Sequence, residues 1–184
     1  MQAARRKPAP EVLPFFAVAW AREGRCEAAE VRLTGLVGPL VLCSPVYCFS
    51  EFSSYYDAEL GGRVWKYLVA ADRLVRADEL VTIKLATEEI EAEFRRTPEA
   101  GGGRTVNIDP GYVNGWQVVL ATVKNHGHRL YLGRGIFGEV TLRYVRGRFE
   151  GLPWTYPDYL SEPVQHALEA FRRRYLELLG GASD

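Results

Sequence analysis

The sequence predicts one α+β domain: a ferredoxin-like split β-α-β core, extended by a helix, a β-hairpin and a C-terminal helix. Three observations favour this fold class. The chain has 184 residues, 47% of them hydrophobic, which is enough for one substantial core. Short apolar runs rich in aromatic and β-branched residues indicate strands, and longer segments with apolar residues three or four positions apart indicate helices. We expect a mostly antiparallel sheet with helices packed on it.

The first six predicted elements are strand, helix, strand, strand, helix and strand. The apolar run LPFFAVAWA starts the domain at Leu13, and residues 25–37 form a helix that Gly38 ends. PLVLCSPVYCFSEF is an extended segment that Pro45 interrupts, and RVWKYLVAADRL is a strand. Residues 77–96 form the clearest helix, and TVNID is the sixth element. The glutamates of that helix are predicted to face mostly solvent: Glu88, Glu89, Glu91 and Glu93.

The rest of the chain is predicted to form a helix, a hairpin and a helix. DPGY is a turn after TVNID, because proline fixes φ and glycine accepts a positive φ. Asn114 then caps a helix that ends at Gly127. HRLYL and FGEVTLRYV form the hairpin, LPWTYPDY is a loop, and Ser161 caps a last helix that ends at Gly180.

The composition argues against several classes of protein. Lysines and arginines number 23, as do aspartates and glutamates, so the formal net charge is zero and we do not expect a nucleic-acid partner. No apolar run reaches the roughly 20 residues of a membrane span. Residues 1–12 lack the apolar centre of a signal peptide, so we expect a disordered tail, a single domain at 13–180 and a cytoplasmic protein.

The residue types that commonly bind metals form no complete motif. Cys26, Cys43 and Cys48 match no paired metal spacing, so we expect reduced thiols. His126 and His128 are two residues apart, which suits a two-imidazole site on an extended backbone, but no third ligand has a matching spacing. We therefore predict no metal site, and the sequence does not identify a cofactor.

Two clusters of polar residues are candidates for a functional site. At the end of TVNID, Asp109 would be an acid or base, with Asn107 and Tyr112 beside it as ligand-binding residues. The alternative is that Asp109 only caps its own turn. Further along, a basic group is predicted to converge on an anionic ligand, with Asp109, His128 or Glu139 as catalytic acid or base. That basic group consists of Lys124, His128 and Arg129.

Two aromatic segments, FSSYYDAELGGR and PWTYPDY, are candidates for the wall of the same pocket. They contribute Tyr56, Glu59 and Asp158 as ligand-binding candidates, because aromatic residues with polar tips beside carboxylates suit a pocket or a partner interface. They equally suit loops that only cover the core.

Several stretches resemble a known family. PGYVNGWQVVLATVKNHGHRLYLGRGIFGEVTLRY, the preceding VNID, PWTYPDY and FSSYYDAELG resemble the bacterial and archaeal family catalogued as domain of unknown function four-four-one-six. The resemblance extends from about Pro14 to Tyr175 and implies no established reaction. Some relatives carry an automated "GTP-binding" name, but this chain has no Gly-x-x-x-x-Gly-Lys-Ser/Thr phosphate loop. The family pattern has a histidine that matches His128 and none that matches His126.

Two functions follow as expectations. The first is a small-molecule protein or small enzyme that binds a nucleotide or another anionic ligand in one pocket, where the candidate polar residues converge. The second is a non-catalytic protein-protein interaction module, in which those residues scatter and the aromatic loops dock a protein partner. In that case Tyr55, Trp154 and Tyr156 form an exposed patch.

Overall fold

The computed structural model describes residues 7–97 and 102–181. Its strands are β1 (Glu11–Trp20), β2 (Leu40–Cys43), β3 (Tyr47–Cys48), β4 (Trp65–Ala71), β5 (Val75–Arg76), β6 (Val106–Val113), β7 (Gln117–Thr122), β8 (Leu130–Gly133), β9 (Ile136–Val145) and β10 (Arg148–Gly151). Its α-helices are α1 (Glu27–Val37), α2 (Asp57–Leu60), α3 (Leu80–Glu93) and α4 (Glu162–Gly181). The predicted α+β class is confirmed.

Seven strands form the main path of one antiparallel sheet, in the order β10-β9-β7-β6-β1-β4-β2. The short strands lie off this path, with β3 on β4, β5 on β1 and β8 on β9. The predicted order of the first six elements is present as β1, α1, β2, β4, α3 and β6, with smaller elements between them. These four strands are neighbours in the order β6-β1-β4-β2. The name ferredoxin-like stays a prediction for this core.

Helices cover both faces of the sheet. On one face, Phe16 of β1 packs in a cluster with Leu33 of α1 and Ile83 of α3. On the other face, Phe15 packs against Phe171 of α4, with ring centroids 6.0 Å apart. Because successive side chains of a strand point to opposite faces, a strand covered on both faces is apolar throughout, as LPFFAVAWA is. No helix in the described part of the chain is long and apolar enough to cross a membrane.

The predicted DPGY turn is wrong, because β6 runs straight through it. Pro110 pairs with Phe16, and Gly111 pairs with Phe15 on β1. The backbone N–H of Ile108 points away from β1, so the nitrogen of Pro110, two residues on, points the same way. The ladder between β6 and β7 begins only at Gly111, so no ladder hydrogen bond is lost at the proline.

The helix predicted after Asn114 is also wrong, because these residues form strand β7 in the middle of the sheet. The side chain of Asn114 does accept hydrogen bonds from the N–H groups of Trp116 and Gln117, at 2.8 and 3.0 Å. It closes the tight turn between β6 and β7 rather than a helix. A side-chain oxygen that accepts from the following N–H groups occurs both at helix starts and in tight turns. The pairing of β7 with β6 and β9 decides that the following residues form a strand.

Smaller differences concern the ends of elements. β10 forms a second hairpin with β9, in a stretch for which no element was predicted. Glu91 is buried rather than facing solvent. The first two residues of β1 pair with β5, although the predicted tail covered residues 1–12. Residues 1–6 of that tail, and the loop residues 98–101, lie outside the described residues.

Gly111→Ala is expected to lower the free energy of unfolding by about 3 kcal/mol, because overpacking a tight site forces backbone shifts. A Cβ there would lie 2.5 Å from the backbone oxygen of Val119 and 2.9 Å from the ring of Phe15. Gly127→Ala is the control, since its Cβ would meet nothing within 4 Å. It should change stability by less than about 0.5 kcal/mol. Urea unfolding checks both; equal stability of parent and Gly111→Ala would contradict the close approach.

Candidate functional site

β6 and β7 pair over only part of their length. Their ladder runs from Val113 and Val118 to Gly111 and Leu120. Beyond that point β6 continues along β1 and β7 continues along β9, so the two strands separate. A cavity of about 520 Å³ lies at this separation. Both strands contribute to its lining, with Asn107, Asp109, Leu120, Ala121 and Thr122.

Side chains of α3 take the place of the missing strand partner. Glu91 Oε1 accepts a hydrogen bond from the N–H of Ile108 at 2.5 Å, and Lys84 Nζ lies 3.5 Å from the carbonyl oxygen of the same residue. Burial raises the pKa of Glu91, while the Ile108 N–H and the cations Lys84 and Arg104 oppose that rise. Arg104 Nη1 donates to Glu91 Oε2 at 2.7 Å. Helix α3 therefore closes the gap from the side opposite to α4.

A buried ion pair lies at one end of the cavity. Lys66 Nζ of β4 donates to Asp158 Oδ2 at 2.7 Å, and the side chains are 8% and 1% exposed. The hydroxyl of Tyr47 donates to the same oxygen at 2.8 Å. Lys66 lies opposite Ala19 of β1, which lies opposite Asn107 of β6. The small alanine between them brings the lysine and the asparagine to one face of the sheet.

A second lysine faces the cavity with fewer partners. Lys84 of α3 lines the cavity through the gap between β6 and β7, and it is only 5% exposed. Its Nζ lies 3.8 Å from Asp109 Oδ1. Asn107 Nδ2 donates to Asp109 Oδ2 at 2.8 Å and so holds the carboxylate in place. Asp109 keeps a side chain that is 30% exposed, so it can meet a molecule in the cavity.

The third carboxylate is Glu139 of β9, which is almost completely buried. Arg129 Nε donates to its Oε2 at 2.6 Å, and His128 Nε2 lies 3.1 Å from the same oxygen. Arg129 also donates to the hydroxyl of Tyr156 at 2.9 Å. The ring of His128 stacks on Trp154, with centroids 4.8 Å apart. This network joins the segment after β7 to the segment before α4 at the cavity.

Tyrosines form most of the aromatic wall. Burial raises the pKa of Tyr56, Tyr156 and Tyr159, and the carboxylate of Asp109 adds to the rise for each. All three hydroxyls therefore stay protonated at neutral pH and can donate hydrogen bonds. At the rim, Lys124 Nζ donates to the hydroxyl of Tyr55 at 2.7 Å.

Some buried polar atoms of the lining have no hydrogen-bond partner among the described residues. They are Glu139 Oε1, Asp158 Oδ1 and the hydroxyl of Tyr159. Each such atom costs about 1–3 kcal/mol. Buried charges that destabilise a fold are more common at functional sites than elsewhere.

The structure brings most of the predicted site residues together. Six of them line the cavity: Asn107, Asp109, Lys124, Glu139, Tyr56 and Asp158. His128 and Arg129 lie behind Glu139, and Glu59 accepts a hydrogen bond from Arg104, which itself lines the cavity. Tyr112 is not brought to the cavity. It differs from Asn107 and Asp109 by an odd number of positions, so it points to the opposite face of β6.

Sequence reasoning missed Lys66, Lys84 and Arg104 as residues of the site. The position of Lys84 on α3 was an available signal, because a charged residue inside an apolar stripe is unusual. Lys84 lies one turn after Leu80, and Glu91 lies one turn after Thr87, so both occupy the stripe. A second signal is the scarcity of lysine. Of the 23 basic residues only four are lysines, and three of these line the cavity: Lys66, Lys84 and Lys124.

The described residues contain no group of three or more His, Cys, Asp or Glu side chains that could hold a metal ion. The rings of His126 and His128 stack on each other at 5.8 Å rather than pointing at a common centre. The cysteines are free thiols, two of them buried. The lining offers ammonium, guanidinium, imidazole, carboxylate, amide and phenol groups.

Comparison with known proteins identifies a family but not an activity. A profile of the family described as Domain of unknown function (DUF4416) matches residues 10–175, which is most of the chain. No curated protein and no solved structure matches the chain.

Lys66→Met is expected to lower the free energy of unfolding by about 3 kcal/mol, because it leaves the buried carboxylate of Asp158 without its cation. Lys124→Met is the control, since Lys124 is exposed and should change stability by less than about 0.5 kcal/mol. Urea unfolding at neutral pH measures both. Equal losses in the two variants would show that the Lys66–Asp158 pair is not buried in solution.

Stability is expected to fall as the pH rises above about 10, the ordinary pKa of tyrosine. The unfolded chain then loses phenol protons that the folded chain keeps on Tyr56, Tyr156 and Tyr159, whose pKa values are raised. The folded state thus binds more protons, so its stability decreases with pH in this range. Urea unfolding from about pH 8 to about pH 11 measures the slope. Tyr56→Phe should reduce that slope; an unchanged slope would contradict the burial of this phenol.

Proposed function

The chain belongs to the family of Domain of unknown function (DUF4416). We propose that it binds a small organic anion, such as a nucleotide, in the cavity between β6 and β7. The observation that carries the proposal is the convergence of charged side chains on one cavity of about 520 Å³. That volume lies in the range of about 300–1,000 Å³ that small-molecule sites occupy. The converging charges belong to Lys66, Lys84, Arg104, Lys124, Asp109, Glu139 and Asp158.

The balance of hydrogen-bond partners favours an anion. Glu139 already accepts from Arg129, and Asp158 accepts from Lys66 and Tyr47. The unpartnered oxygens of these two carboxylates are fully buried, so a molecule in the cavity does not reach them. An ammonium group has three donors. The cavity therefore has spare donors on its lysines, and it suits a ligand rich in acceptors.

The spare donors belong to two lysines. Lys84 Nζ has only long contacts, at 3.5 Å to a carbonyl and 3.8 Å to Asp109. Lys124 Nζ donates to the hydroxyl of Tyr55, which is a neutral group. Neither ammonium has a carboxylate within ordinary hydrogen-bond distance in the described part of the chain. A phosphate or carboxylate of the ligand would supply that partner.

The wall suits the organic part of such a ligand. Tyr55 and Tyr56 contact each other edge to face at 4.9 Å, and the guanidinium of Arg104 lies over the ring of Tyr56 at 5.8 Å. Aromatic faces bind planar or apolar groups, and their hydroxyls bind polar ones. Asp109, the partly exposed carboxylate, is the group placed to exchange a proton with the ligand.

The experiment is a thermal-shift and calorimetric screen of inorganic phosphate, nucleotides, phosphosugars and dicarboxylates. A ligand at one hundred times its dissociation constant should add about 2.7 kcal/mol to stability. Lys84→Gln and Lys124→Gln should each weaken binding about tenfold, because each removes a charged hydrogen bond of roughly 1.5 kcal/mol. Arg148→Gln is the control, since it removes one positive charge from the exposed side of β10, outside the lining.

The proposal fails if no anion binds, or if Arg148→Gln weakens binding as much as the two lysine variants do. In that case the second candidate function, a protein interaction module, becomes the better one. One observation favours it: β8 pairs with β9 at the edge of the sheet, and its Leu130 and Tyr131 are 73% and 64% exposed. An apolar edge strand suits a partner that adds a strand of its own.

A further inference from the structure

The choice of cation around the cavity differs from that in the rest of the molecule. Nearly all basic residues of the chain are arginines, but three of its four lysines line this cavity. The fourth, Lys7, is exposed ahead of β1. Arginine stays protonated in proteins, whereas a lysine amine can lose its proton and act as a nucleophile. The cavity therefore carries the type of cation that can form a covalent bond.

The three cavity lysines are held in different ways. Lys66 Nζ is bound to Asp158 at 2.7 Å, and Lys124 Nζ is bound to the hydroxyl of Tyr55 at 2.7 Å. Lys84 Nζ has contacts only at 3.5 and 3.8 Å among the described residues, beyond the usual limit of about 3.2 Å for such hydrogen bonds. The packing of α3 against the sheet, rather than a strong hydrogen bond, thus positions the amine of Lys84.

A carboxylate stands beside this amine. Asp109 Oδ1 is 3.8 Å from Lys84 Nζ, close enough to exchange a proton with it after a small movement. Asn107 holds the other oxygen of Asp109 at 2.8 Å. Both Lys84 and Asp109 line the cavity, one from α3 and one from β6. A nucleophile with an adjacent, oriented base is the arrangement that covalent catalysis requires.

We propose that Lys84 forms an imine with a carbonyl group of the bound anion, so that the ligand is an organic anion bearing an aldehyde or ketone. This inference rests on the proposed function and deepens it. Asp109 takes a proton from the ammonium, and the free amine attacks the carbonyl carbon. The carbon–nitrogen bond forms, and the carbonyl oxygen takes a proton from that nitrogen. Asp109 then returns its proton to this hydroxyl, the carbon–oxygen bond breaks, and water leaves behind a protonated imine.

The experiment traps that imine on the full chain. Glyoxylate, and in a second arm dihydroxyacetone phosphate, is added at about one equivalent with cyanoborohydride, which reduces the imine to a stable amine. Peptide mass mapping then reports which of the four lysines carries the label. Lys84 should be labelled about tenfold faster than the exposed Lys7 and Lys124, because the oriented base assists it. Lys66 should stay unlabelled, since it lines the same cavity but is held by Asp158.

Asp109→Asn should slow the labelling of Lys84 about a hundredfold and leave that of Lys124 unchanged. The inference is overturned if, with glyoxylate and with dihydroxyacetone phosphate, the exposed Lys7 and Lys124 are labelled first and Lys84 stays unmodified. The parent chain alone decides this point, so a variant that fails to fold does not remove the test.

A parallel arm separates this inference from the proposed function. Glycolate resembles glyoxylate but carries an alcohol in place of the aldehyde, and its binding is measured by thermal shift without reductant. If glycolate binds and Lys84→Gln weakens it, while Lys84 is never labelled, anion binding stands and the imine is excluded. If Lys84 is not labelled and no anion of the wider screen binds, both proposals fail. Selective labelling of Lys84 supports the imine.

Discussion

The separation of β6 from β7 is the constraint on which the rest of the site depends. Gly111 lets the two backbones meet closely, and beyond it the first half of β6 has no strand partner on one side. Buried backbone groups must be hydrogen-bonded. Glu91 of helix α3 meets this demand for the N–H of Ile108, and Lys84 Nζ lies 3.5 Å from the carbonyl oxygen of the same residue. Two charged side chains therefore lie under a sheet that is otherwise packed with apolar residues.

The charges that gather around the gap stabilise one another rather than the fold as a whole. A buried ion pair such as Lys66–Asp158 recovers little more than the cost of removing both ions from water. The unpartnered buried atoms of Glu139, Asp158 and Tyr159 add to that cost. Well-packed apolar residues in place of a buried ion pair often give a fold of equal or greater stability. The polar lining thus contributes little to the stability of the sheet, and in the function proposed above its lysines recognise a ligand.

Local patterns identified the elements whose signals lie within a single segment. The apolar run of β1, the stripe of α3 and the hairpin of β8 and β9 were all read from the sequence. The errors fell where a local signal serves two structures. Asn114 binds two backbone N–H groups in a hairpin turn as it would at a helix start. Pro110 is tolerated inside β6 because its nitrogen points to the side where no strand is paired. That side is open at Pro110 because the pairing with β7 ends at Gly111.

The sequence by itself determined the α+β class, the apolar faces, the scarcity of lysine and the group of polar residues between Asn107 and Glu139. Only the tertiary structure decided which of these residues meet. Lys66 and Asp158 are 92 residues apart along the chain, and Tyr47 and Asp158 are 111 apart. Such contacts depend on sheet order and strand register, where a shift of one residue moves a side chain to the other face. The alternation along β6 accordingly places Asp109 at the cavity and Tyr112 behind it, a difference that residue type does not reveal.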